Sequence, residues 1–208
     1  MINLDKYHHI KSLCGTDQQI IAVSKKQPID KITALLANNH KIFAESQLQE
    51  ALSKWPPLQQ QYQGLELHYI GALQSNKIKD ICQIFSAIHT IDKLKYLDII
   101  AKQEQRPQLL FLQVNLGSEA QKRGINQQQI ATFLEYANNL SLKINGLMVL
   151  PPQDKPALPY FAWLKKLVKE HDLAYTSMGM SADYQHALRL GANYIRVGSA
   201  IFGNREGS

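Results

Sequence analysis

I-I-A-V-S-K-K-Q-P-I-D-K-I-T-A-L-L, residues 20–36, holds the two periodicities on which the fold turns. Its opening run is β-branched or small and apolar, the composition of a strand buried on both faces. Beyond Pro28 the spacing changes, and Ile32, Leu35 and Leu36 fall on one side of a helix with 3.6 residues per turn. Pro28 suits the first helical position, where a missing N–H costs nothing. A strand, a short polar turn and an amphipathic helix make one βα unit.

The same alternation recurs along the whole chain. Further strands are predicted at 41–44, 66–70, 85–90, 108–115, 143–150, 174–178 and 193–197, which with 20–24 makes eight. Helical faces lie between them: Ile130, Phe133, Leu134 and Ala137 share one, and Phe161, Leu164 and Val168 share another. Asn76 and Ser181 suit helix N-caps, and Gly191 suits a stop before the last strand. Eight strands, each followed by a helix and with no linker, predict one domain over residues 1–208. Its expected fold class is α/β, a closed (β/α)8 TIM barrel whose chemistry sits at the C-terminal strand ends. A doubly wound open sheet is the alternative.

Composition narrows the function classes. No apolar run approaches the roughly 20 residues that span a bilayer, and the first residues, MINLDKYHHI, lack the apolar core of an export signal. A cytoplasmic protein is expected, with no membrane partner. Cys14 and Cys82 form neither a disulfide framework nor a C-x-x-C motif. The formal charge of +6, from 23 Lys+Arg against 17 Asp+Glu, favours phosphorylated ligands. Nucleic acid is not expected, because the lysines are dispersed and no basic run has interleaved aromatics. His68 and His89 stand near strand ends without carboxylate or cysteine at ligand spacing, so no metal is assigned and each is expected to hold a loop by hydrogen bonds. Tyr160 and Trp163, on the helix after the sixth strand, are expected to pack against the barrel.

The first strand ends in A-V-S-K-K, which brings Ser24, Lys25 and Lys26 to the rim. Strand alternation sends the two lysines to opposite sides, but both sides of a parallel strand are buried, so periodicity does not say which faces inward. At the far end of the chain, T-S-M-G-M-S (176–181) and I-R-V-G-S-A-I-F-G (195–203) carry the makings of an anion site. Gly179, Ser181, Gly198 and Ser199 are small enough to let backbone N–H groups approach a phosphate, at the two loops where barrels often bind one. Each segment alone reads equally well as a turn or cap. Arg196 beside them meets either a ligand acceptor or a barrel carboxylate.

These residues carry a resemblance to the pyridoxal phosphate homeostasis protein family, whose fold is like the N-terminal barrel of alanine racemase, a fold type III arrangement. It runs through A-V-S-K (22–25), L-H-Y-I-G-A-L-Q-S-N-K (67–77), H-T-I-D-K-L-K (89–95), Q-V-N-L (113–116), K-R-G-I (122–125), G-L-M-V-L-P-P (146–152), S-M-G-M-S (177–181) and I-R-V-G-S-A-I-F-G (195–203). The resemblance implies that Lys25 holds pyridoxal 5′-phosphate (PLP) as an internal aldimine, that Ser181, Gly198 and Ser199 receive the phosphate, and that Arg196 faces the pyridine nitrogen. Met178 and Ser46 join them as implied cofactor contacts. An amine must lose its proton to attack an aldehyde, and an apolar site beside a second cation such as Lys26 assists that loss. Partners implied are PLP itself and transient contacts with PLP-dependent acceptor enzymes, with the chain a monomer.

The resemblance has departures. F-A-E-S-Q-L-Q-E (43–50) replaces the family's F-G-E-N-Y-x-Q-E, so Ser46 is shorter than the usual Asn, and Ala44 restricts a turn that Gly would leave free. Leu67 stands for an aromatic, and Ser199 for a threonine with the same hydroxyl. Two functional classes follow: a PLP-binding protein of vitamin B6 homeostasis without amino-acid turnover, with no catalytic residue, or a small one-domain PLP-dependent racemase. A phosphate-binding barrel enzyme without PLP is a third. Racemases on this barrel resemble one another in a second domain that supplies a tyrosine base, whereas about a dozen residues follow the eighth strand here, so the first class is expected.

Overall fold

The computed structural model describes residues 2–117 and 123–203. Lys122 of the K-R-G-I block lies outside them. A helix α1 (Leu4–Leu13) comes first, which no sequence pattern indicated. The alternation then follows as β1 (Gln19–Val23), α2 (Ile29–Leu36), β2 (Ile42–Glu45), α3 (Leu48–Gln61), β3 (Glu66–Tyr69), α4 (Ile78–Ile84), β4 (Ala87–Ile91) and α5 (Leu94–Ala101). The second half continues with β5 (Leu109–Val114), α6 (Ile130–Asn139), β6 (Gly146–Val149), α7 (Leu158–Glu170), β7 (Tyr175–Met180), α8 (Tyr184–Arg189), β8 (Tyr194–Val197) and α9 (Ser199–Phe202). All eight strands pair in sequence order and the sheet closes, with Ile21 opposite Arg196 and Ala22 opposite Val197 across the β1/β8 seam. Closure excludes the open-sheet alternative.

Two apolar regions hold the fold. Outside the sheet, the helical faces meet the outward strand residues: Ile32 and Leu35 of α2, Ile130 and Phe133 of α6, and Phe161 and Leu164 of α7 are all buried. Each such side chain contributes about 2 kcal/mol. Inside the barrel, Ile21, Ala44, Phe111, Met148 and Tyr194, from β1, β2, β5, β6 and β8, form a separate cluster. Polar groups share that interior, among them His68, His89, Ser177 and Arg196, which matters for the site.

Local signals hold with a few shifts. Pro28 sits one residue before α2 as its cap, and Gly191 follows α8 with a left-handed φ of 73°. Asn76 lies within a single 3₁₀ turn (Ser75–Lys77) rather than capping a helix. Ser181 is not the α8 cap either; Asp183 occupies that position. Tyr160 packs against the core, but Trp163 is 38% exposed, since it lies off the buried stripe set by Phe161, Leu164 and Val168. Gly71 in the H-Y-I-G block has a reason in packing: a Cβ there would stand 2.0 Å from the Ser46 carbonyl oxygen. The loop after β3 therefore passes directly against the end of β2.

Beneath the barrel, the buried His40 ring contacts the Ile42 carbonyl through Nε2 at 2.7 Å and the Tyr7 hydroxyl through Nδ1 at 3.3 Å. Burial pushes its imidazole down to about 4, against a smaller opposing effect of the Ile42 carbonyl. The folded value lies below the unfolded one, near 6.5, so the stability it contributes is present above that pH and is lost as pH falls through 4. At 1.36 kcal/mol per unit, His40 accounts for about 3 kcal/mol of acid sensitivity. Urea unfolding at pH 7 and pH 4 is expected to show a smaller drop for His40→Gln than for the parent chain, and an equal drop in both would contradict this assignment.

Candidate functional site

At the C-terminal mouth of the barrel, a pocket of about 410 Å³ is lined by Lys25, Arg196, Ser181, Gly198 and Ser199, with Ile70, Met148, Leu150 and Met180 among its apolar walls. That volume lies within the roughly 300–1,000 Å³ of small-molecule sites. A second cavity of about 770 Å³ adjoins it at the mouth, sharing Ile70, Leu150 and Met180. A third, of about 630 Å³, opens at the opposite end against Glu66 and Tyr194. The first of these brings five of the expected site residues together.

The parity that periodicity left open is resolved by the turn after β1. Ile21 belongs to the interior cluster with Val23 packed against it, and Lys25 continues that side into the pocket, where it is half-buried. Lys26 takes a left-handed φ of 58° and is exposed. A non-glycine residue in that region needs support from its surroundings, and its N–H donates to the Glu50 carboxylate. Glu50 belongs to a buried ionic cluster. Lys54 lies 2.8 Å from both Glu45 and Glu50 and donates to the Ser24 carbonyl at 3.1 Å. Ser24 Oγ donates to Glu45 at 2.8 Å, and the Trp55 indole donates to the same oxygen at 3.3 Å. Burial raises the Glu45 carboxyl, and Lys54 works against the rise. Both neighbours of Lys25 are thus anchored to one cluster, which fixes where its amine enters the mouth. The cation expected beside Lys25 was Lys26, but that side chain points to solvent, and Arg196 is the cation that shares the pocket.

On the facing side, a β-bulge between Ser177 and Met180 shifts the pairing of β7 with β8. Gly179 makes it possible: its φ is 90°, and a Cβ there would stand 2.5 Å from the Ala187 Cβ. The bulge re-aims Met180 into the pocket. Met178, expected at the cofactor, is fully buried in the outer core instead, because strand alternation turns it toward the helices. Ser46 is also not among the pocket-lining residues; it sits at the bend after β2 with its backbone against Gly71. Ala44 lies within β2 in the barrel interior rather than in a turn, so no backbone restriction arises from it.

Ser181 Oγ accepts from the Gly198 N–H at 3.2 Å and so ties the two glycine-containing loops together. The first N–H groups of the helical turn at Ser199 lack partners within that turn. Arg196 is buried. Its guanidinium donates to Ser177 Oγ at 2.7 Å and to the Val149 carbonyl at 3.0 Å. Burial pushes Arg196 down to about 10, partly offset by Asp183, which leaves it a cation at neutral pH. Neither histidine holds a loop. His68 and His89 stack within the barrel at 5.1 Å between centroids and bond to each other at 3.0 Å.

Sequence reasoning missed Met180, Glu45, Glu50 and Lys54. Glu50 and Lys54 carried a readable signal, an i,i+4 acid–base pair on a helix; the bulge behind Met180 carried a weaker one, the glycine at 179 within a strand run.

A closed β/α barrel with one lysine and a two-loop small-residue cradle at its mouth defines a class, and residues 4–206 match the family model described as the alanine racemase N-terminal domain. The chain belongs to the family of pyridoxal phosphate homeostasis proteins. It is 36% identical to the pyridoxal phosphate homeostasis protein of Vibrio cholerae over 93% of this chain and 89% of that one. Among solved structures, PipY of Synechococcus elongatus without PLP superposes with a TM-score of 0.88 at 31% identity, covering 96% of this chain and 99% of that one. PipY with PLP bound superposes at 0.83 and 29%, with the same coverage. Alanine racemase of Clostridium difficile shares the fold at a TM-score of 0.71 and 16% identity, where all of this chain covers 58% of the enzyme. Among the described residues, no helix is long and apolar enough to cross a membrane.

Proposed function

We propose that this chain binds PLP at the barrel mouth and takes part in vitamin B6 homeostasis in the cytoplasm, exchanging the cofactor with acceptor enzymes as a monomer. One observation carries the reading: Lys25, Arg196 and the Ser181, Gly198 and Ser199 cradle line a single pocket. PLP supplies an aldehyde, a ring nitrogen and a phosphate, three groups that these residues match in type. The Lys25 amine would hold the aldehyde end. Gly198 and Ser199 offer backbone N–H groups and a hydroxyl to the phosphate, with Ser181 holding the two loops in register. Ile70, Met148, Leu150 and Met180 give an apolar wall to the ring and keep water from its faces.

With PLP bound, Arg196 would hold the ring nitrogen by donating to its lone pair without giving up a proton. A ring nitrogen kept unprotonated is a weak electron sink, which disfavours carbanion chemistry and so disfavours amino-acid turnover. The names of the relatives agree with a binding role. Supplied with PLP and either enantiomer of common amino acids, the protein is expected to produce no racemisation or transamination above the free cofactor. Chiral chromatography decides it: sustained enantiomer conversion that disappears in Lys25→Ala would replace the carrier with a racemase.

A further inference from the structure

A polar line crosses the barrel interior where apolar packing would suffice. From the mouth inward, Arg196 Nη1 donates to Ser177 Oγ at 2.7 Å. Ser177 Oγ lies 2.8 Å from His89 Nδ1, His89 Nε2 lies 3.0 Å from His68 Nδ1, and His68 Nε2 lies 3.4 Å from Glu66 Oε2. Ser177, His89 and His68 have no exposed surface. Glu66, by contrast, opens β3 at the far end of the barrel, where its side chain is 48% exposed and borders the opposite cavity.

The ends of this line dictate its proton direction. Arginine has only donors, so Ser177 accepts from it and is left to donate its hydroxyl proton to His89 Nδ1. His89 then carries its proton on Nε2 and donates to His68 Nδ1. By the same logic His68 is protonated on Nε2 and donates to Glu66, an acceptor-only carboxylate. All four links are satisfied with both imidazoles neutral. Reversing any one would set two donors or two acceptors face to face. Burial lowers both imidazoles, His89 the further, and the hydrogen bond from His68 lowers Glu66, so each group favours the state the line requires.

We propose that Ser177, His89, His68 and Glu66 form a one-way positioning relay that orients Arg196 and tunes how strongly it donates to a ligand's ring nitrogen. Successive hydrogen bonds in a low-dielectric interior polarise one another. The carboxylate of Glu66 is thereby coupled by polarisation to a buried guanidinium at the other end of the barrel, whose direct charge partner is Asp183. What happens at the far mouth is felt at the ligand. The tuning half of the proposal rests on the reading that PLP occupies the pocket with its nitrogen toward Arg196.

Nitrogen-15 NMR of the ligand-free chain tests the relay without any cofactor. Both histidines are expected as Nε2–H tautomers, and Glu66→Gln, a change at an exposed side chain, should move the Arg196 guanidinium resonances although Arg196 is bonded to Ser177 and Val149. An Nδ1–H tautomer at His89, or an unmoved Arg196, would overturn the relay. In the PLP-loaded chain, Glu66→Gln and Ser177→Ala should displace the visible absorption band in the same direction. Ser177→Ala should also weaken PLP retention roughly tenfold, the loss of one hydrogen bond to a charged group. Bands unmoved in both variants would overturn the tuning. Failure of the parent chain to take up PLP would overturn the cofactor reading alone, since the resonances decide the relay by themselves.

Discussion

Lys25→Ala is expected to abolish the visible absorption of the PLP-loaded protein and to leave no ligand mass on the chain after borohydride reduction. The parent chain should carry one reduced adduct, and peptide mapping should place it on Lys25. The reason is geometric. Lys25 continues the inward side of β1 into the pocket, while Lys26, held by a left-handed backbone and by Glu50, stands in solvent. Proximity makes the difference absolute, because an amine outside the pocket gains nothing from the bound orientation of the aldehyde. Folding should change little, within about 0.5 kcal/mol, since Lys25 is half-buried at a rim rather than in the core. Adduct retained in Lys25→Ala and mapped to Lys26 would reverse the facing of the strand end.

The barrel was legible because a parallel strand covered on both faces leaves an unbroken apolar run, and each run here is followed by a helix with one buried stripe. The run at 20–24 and the Ile32, Leu35 and Leu36 face reappear as β1 and α2 with boundaries moved by one residue or none. Closure was not legible on the same grounds. It depends on β8 pairing with β1, as at Gln19 and Tyr194, and nothing in either strand's own pattern distinguishes that contact from an open edge. Helix α1 was also silent: its apolar residues are few, and only Tyr7 and Ile10 are buried.

For the site, residue types were readable while side-chain direction was not. The two small-residue loops together pointed to a phosphate, while the aldehyde-reactive role of Lys25 came only from the family resemblance. Which lysine enters the pocket depends on a backbone turn at Lys26, and which methionine enters depends on a bulge at Gly179. Only the second breaks the rule of period two: Ile21, Val23 and Lys25 keep to one side of β1, and what that pattern left open was which side faces inward. The histidines illustrate the converse. Each looked like a loop anchor from its own surroundings, and their pairing exists only because β3 and β4 are neighbours whose register sets His68 opposite Ala87, which leaves His89, two residues further along, within 3.0 Å of the His68 ring inside the barrel.

The cradle yields the second large effect: Ser199→Leu is expected to weaken PLP retention by a factor of roughly 10² to 10⁴ while leaving the ligand-free fold intact. Losing the hydroxyl's charge-assisted hydrogen bond to phosphate costs about 1.5–3 kcal/mol, and pushing the phosphate off a neighbouring backbone N–H costs about as much again, which gives that range. Leucine would remove the hydroxyl and fill the space beside Gly198 that the phosphate needs. The fold should not notice, because Ser199 is exposed in the first turn of α9 and that turn is held by backbone hydrogen bonds from Ile201 and Phe202 to the Gly198 carbonyl. Two measurements separate the readings: equilibrium dialysis of PLP against each protein, and thermal unfolding of the ligand-free forms. A fall in ligand-free stability as large as the fall in affinity would make Ser199 part of a structural turn, and the Gly198 and Ser181 contact a loop tie and nothing more.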